Sequence, residues 1–113
     1  MIKMVESLPN TPTANVIGKQ LLRSATSIGA NYRAACRAKS KAGMLAKLAI
    51  VEEESDETLY WLELLVEASL IPEARLADLM KETDEIIAIT VASMKTIRGK
   101  TNNPKSTPVR WAV

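Results

Sequence analysis

The chain has 113 residues, 47% of them apolar and 25% charged, with a formal net charge of +2. That length supports one modest core, and the balance excludes a disordered or membrane-spanning chain. With no histidine and a single cysteine, Cys36, the sequence lacks the parts for a zinc centre, a Glu-x-x-His di-iron bundle, a histidine triad or an internal disulfide.

Other chemistry is equally unprovided for. There is no GxxxxGK[ST] or GxGxxG phosphate loop, and only four glycines in all. No enzyme activity, cofactor, metal or membrane partner is expected, and carboxylate-only catalysis is the remaining remote option. The opening MIKMVESLPN contains Glu6 and no long apolar run, so no secretory leader is expected. A lone cysteine fits a cytoplasmic location.

In chain order, Met1, Met4, Val5 and Leu8 recur at helical spacing and read as a short first helix that PNTPT interrupts. Thr11 followed by Pro12 is an N-cap with proline at the first helical position. A second helix is predicted from Pro12 to about Ala38, on a seam of Ala14, Ile17, Leu21, Ala25, Ile28, Tyr32 and Ala35. Ser40 is a candidate cap for the third helix, about Ala42 to Ser69. Its heptad seam is Leu45, Leu48, Glu52, Ser55, Leu59, Leu62 and Val66. Pro72 opens a fourth helix with seam Leu76, Met80, Thr83, Ile87, Thr90, Met94 and Ile97, and Gly99 stands as its C′ residue. The expected fold is all-α: an up-and-down antiparallel four-helix bundle with a shortened first helix. Residues 1–99 form the bundle domain, and 100–113, rich in Pro, Ser, Thr and Asn, form a flexible or extended tail.

Charge is sorted along the chain. Ser7 to Val51 holds seven bases and no acid, Glu52 to Glu85 holds twelve acids against Arg75 and Lys81, and Ile86 onward holds five bases and no acid. A hairpin turning near Ser40 sets Arg23 level with about Glu57 and Ser27 with about Glu53. The basic helix then offsets like-charge i,i+4 pairs such as Glu53–Glu57 and Glu52–Asp56. The rival reading is a surface for RNA or DNA built on Arg33, Arg37, Lys39, Lys41 and Lys47.

Two further groups of candidates stand out. Ser27, Asn31, Glu52, Glu53 and Ser55 fall near one level and are candidates for a polar layer that fixes helix register. In TLYWLELLVEASL the apolar residues occupy nearly every face, so Tyr60, Trp61, Leu64 and Leu65 are candidates for an oligomer interface.

LLRSATSIGANYRAA, the RAKSKA connection and EEESDETLYWLELL together resemble the four-helix bundle proteins of the 23S rRNA intervening-sequence (S23) family, over roughly Leu8 to Arg98. The resemblance implies a bundle assembled as a homopentamer, with no catalysis and no metal, and the expected role is that of a scaffold or adaptor. The accessory proteins of diversity-generating retroelements are a related branch that binds nucleic acid through a basic surface. On that branch the matching positions here are Arg33, Arg37, Lys39 and Lys41. Where relatives have a full leading helix, the short first helix leaves a groove that an upstream segment, the tail ending VRWAV or a neighbouring copy would fill.

Overall fold

The structure, a computed structural model, describes residues 1–102, with the backbone alone for 100–102. Of the predicted tail, 100–113, residues 100–102 belong to the last helix and those from 103 onward lie outside the described residues. Four helices follow one another: α1 (Ile2–Glu6), α2 (Pro12–Cys36), α3 (Lys41–Glu67) and α4 (Glu73–Asn102). They form an all-α rod 53 Å long, in which α3 packs along both α2 and α4 while α2 and α4 scarcely meet.

The caps form where the sequence supplies them. Ala14 N donates to Thr11 Oγ1 at 3.2 Å, with Pro12 at the first helical position. Gly43 N donates to Ser40 Oγ at 2.9 Å and starts α3. The end of α3 is a Schellman turn: Leu70 N donates to Leu65 O and Ser69 N to Val66 O, each at 3.0 Å. Ser69 adopts φ 57° there, the left-handed conformation that glycine holds without a Cβ penalty. The fourth helix does not stop at Gly99. It continues to Asn102, and no glycine adopts positive φ, so Gly99 is an interior helical residue and not a C′ cap.

Two apolar clusters fill the rod. Near the α3–α4 turn, Ile17, Leu21, Leu62, Leu65, Ile71 and Leu76 are buried together, and Met1, Met4, Val5 and Leu8 from the α1 region pack onto them. Gly18 permits that approach, since a Cβ there would meet Leu8 Cδ1 and Val5 Cγ1 at 3.2 Å. At the α2–α3 turn, Ala35, Leu48, Met94 and Ile97 form a smaller cluster flanked by Met44, Leu45 and Ala49.

The α3 seam is rotated from the predicted one. The buried positions are Leu48, Val51, Ser55, Thr58, Leu62 and Leu65, so Val51, Thr58 and Leu65 replace Glu52, Leu59 and Val66. Both columns recur every three or four residues. The observed one keeps the Glu52 carboxylate out of the interior, where a lone charge is costly. Tyr32, placed on the α2 seam by its spacing, is 50% exposed.

Candidate functional site

The interior polar groups of α2 and α3 are hydroxyls. Ser24 and Thr58, both buried, hydrogen-bond to each other across the helix pair at 2.9 Å, and Thr58 also reaches the Glu54 carbonyl at 2.8 Å. The predicted polar layer does not form. Asn31 Nδ2 donates within its own helix, to Ser27 O and Ser27 Oγ, each at 3.0 Å. Glu52 is half-buried and Glu53 exposed. Only Ser55 is buried, and its hydroxyl has no hydrogen-bond partner among the described residues. Ser24 and Thr58 were the pair missed; both are small, hydroxylated and level with each other in the predicted hairpin register.

That register is borne out on the surface. The Arg23 guanidinium bridges two α3 carboxylates, with Nη1 3.0 Å from Glu54 Oε2 and Nη2 bonded to Glu57 Oε1. Gln20 Oε1 accepts from Arg23 Nε at 3.2 Å, and Trp61 Nε1 donates to Glu57 Oε1 at 3.3 Å. The hydrogen bond from Arg23, then that from Trp61, hold the Glu57 carboxyl below its usual range. In return the Glu57 hydrogen bond raises the Arg23 guanidinium.

Beyond this chain of charges lies an apolar face. An open groove of about 650 Å³ between α2 and α3 is lined by Pro12, Val16, Ile17, Trp61, Leu64 and Ala68, with Glu67 at its edge. Val16 is 59% and Tyr60 54% exposed, and the Tyr60 ring stands edge-on to Trp61 with centroids 5.0 Å apart. Of the four predicted interface residues, Tyr60, Trp61 and Leu64 thus meet the surface. Leu65 does not: it is fully buried in the larger cluster, on the α3 side that closes against α2. Val16 escaped the sequence reading because it lies off the seam of Ala14, Ile17 and Leu21.

The opposite end of the rod is basic. Arg33, Arg37, Lys39, Lys41 and Lys47 are all exposed around the α2–α3 turn. Because α4 runs antiparallel to α3, it brings exposed Lys95 and Arg98 to the same end, beside the buried Met94 and Ile97. Among the described residues the ion pairs belong to Arg23 alone, so the expected pairing of the basic segment with the acidic helix is realised at one position only. Among the described residues no cluster of histidine, cysteine or carboxylate side chains could hold a metal ion, and no helix is long and apolar enough to cross a membrane.

Among the described residues the bundle presents an open aromatic groove and a cationic end without ion pairs. A family model described as 23S rRNA-intervening sequence protein matches residues 1–92, and the chain belongs to that family. It is similar to a solved protein of unknown function from the S23 ribosomal protein family of Bacteroides thetaiotaomicron VPI-5482. The two share 42% identity and a TM-score of 0.70, over 72% of this chain and 75% of that one. No curated protein matches the chain.

Proposed function

We propose that the chain works without catalysis, as a self-associating helical scaffold or adaptor of the cytoplasm, assembled as a homopentamer. The groove walled by Val16, Trp61 and Leu64 carries this reading. Leu65, one residue from Leu64, is fully buried in the single chain, whereas Tyr60 is exposed and Trp61, half-buried, lines the groove. Tyrosine and tryptophan on an apolar surface are the residues that protein interfaces concentrate at their centres. Replacing Tyr60→Asp together with Trp61→Ala should reduce the sedimenting species to the monomer while helicity is kept. An unchanged mass at micromolar concentration would remove this face from the assembly.

A second reading is favoured by the cationic end: the assembly binds RNA or DNA there. Lys95 and Arg98 add to the five bases of the turn, and none of the seven forms an ion pair among the described residues. Phosphate contacts of this kind weaken steeply as salt rises, because binding releases counterions. The triple change Arg33→Glu, Arg37→Glu and Lys41→Glu should abolish such binding, and binding that survives it would sink this reading.

A further inference from the structure

A homopentamer of the kind proposed above needs two different faces on every chain. A face that meets its own copy closes a two-fold dimer, whereas a five-fold ring needs one face that gives and another that receives. The groove at Trp61 supplies one of them, and its surroundings define what the other must offer. Val16 at 59% and Tyr60 at 54% exposure are the apolar side chains that need cover there. Lys19, one turn from Val16 on α2, is exposed and forms no ion pair among the described residues. On α3, Glu63 and Glu67 are exposed one turn apart, a spacing at which two carboxylates repel.

A second open groove, of about 560 Å³, runs along α4. It is lined by Glu73, Ala77, Met80, Asp84, Glu85 and Ala88, with Lys81 among them. We propose that this α4 groove is the receiving face, and that it takes the Val16–Trp61 face of a second copy of the chain. The inference rests on the self-association proposed above and names the surface that completes it.

Size, charge and position select it. Ala77 and Ala88 are small and exposed, which leaves room for the Val16 and Tyr60 side chains. Small residues also let helix axes approach toward the lower end of the usual range of about 8–10 Å. The charges match in both signs. Asp84 and Glu85 form no ion pair among the described residues and suit Lys19, while Lys81, equally without one, suits Glu67 at the edge of the first groove. Trp61 and Leu64 of the first groove and Met80 of the second pack on the same buried cluster, so both grooves open at one end of the rod. Rotation about an axis along the rod keeps those ends level from copy to copy. Within one chain the two grooves belong to separate exposed faces, one on α2 and α3 and the other on α4, so a second copy is needed to join them. Arg33, Arg37, Lys39, Lys41 and Lys47 take no part in the contact.

Complementation between two variants tests the pairing of faces. One variant carries Ala77→Arg and Ala88→Arg, which fill the α4 groove from exposed positions. The other carries Tyr60→Asp and Trp61→Ala, which spoil the giving face. Each keeps one sound face, and circular dichroism confirms equal helicity. Alone, each should sediment as a monomer at a concentration where the unaltered chain is five-fold. Mixed, they should form a one-to-one dimer and nothing larger. A groove-filled chain that keeps the five-fold mass overturns the proposal and leaves self-association standing. A mixture that stays monomeric at every concentration overturns it too. An unaltered chain that is itself monomeric overturns both the proposal and the self-association on which it rests.

Discussion

The two ends of the rod use the same helices for opposite ends. At the α3–α4 turn, six large apolar residues are buried together and α1 seals them, with Gly18 allowing close approach. At the α2–α3 turn the cluster is four residues, one of them alanine. The charge follows the same division, with carboxylates such as Glu63, Glu67, Glu73 and Asp78 around the sealed end and only cations around the open one. A bundle this small cannot bury a full seam along its whole length. Concentrating the apolar side chains at one end supplies the stability and leaves the other end free to carry unpaired charge and small residues.

Core truncation tests this division with the largest effect. Leu62→Ala removes a fully buried side chain from the sealed cluster and should cost about 3–5 kcal/mol in denaturant unfolding. Met94→Ala, in the smaller cluster, should cost nearer to about 2 kcal/mol. Equal losses would mean that the two ends share one cooperative core of even strength.

The sealed end also holds a strained residue, and relieving it sharpens the contrast. Ser69→Gly, at φ 57° in the turn after α3, should raise unfolding stability by about 1 kcal/mol. A loss instead would show that the Ser69 side chain contributes more to the turn than its backbone conformation costs.

Acid gives the smallest effect and probes the boundary between the ends. Glu57 is held below its usual range, so its contribution to stability is present above the ordinary glutamate pKa of about 4.3. That contribution is lost as pH falls through the lower value of the folded state. Because the Arg23 side chain is half exposed and that of Glu57 about a third exposed, the change should be slight, and visible mainly in the emission of Trp61, which donates to the same carboxylate. An emission that holds constant as Glu57 titrates would deny the link between ion pair and groove.

Much of this architecture was legible in the sequence. Thr11-Pro12 and Ser40 placed two helix starts because a cap is a local chemical need, and the short turn between the second and third helices fixed Arg23 opposite Glu57. The rotation of α3 was not legible. TLYWLELL is apolar on every face, so periodicity alone does not choose between the column with Leu59 and Val66 and the column with Thr58 and Leu65. The choice comes from across the interface, where Ser24 meets Thr58 and Val51 keeps Glu52 at the margin. Leu65 was misplaced for that reason, and with it the predicted layer of Asn31 and Glu52. Tyr32 looked like core because its spacing is right, yet it is half exposed. The cationic end was half visible, since Lys95 and Arg98 join the turn only through the antiparallel return of α4.

The solution mass of the full chain, taken by light scattering at low and high salt with and without a mixed RNA and DNA pool, tests the account most directly. The account predicts a stable five-fold species in both salts, and the second reading adds nucleic acid that is bound at low salt and released as salt rises. A monomer at every concentration and salt would contradict it, leaving the Tyr60–Trp61 face without a partner.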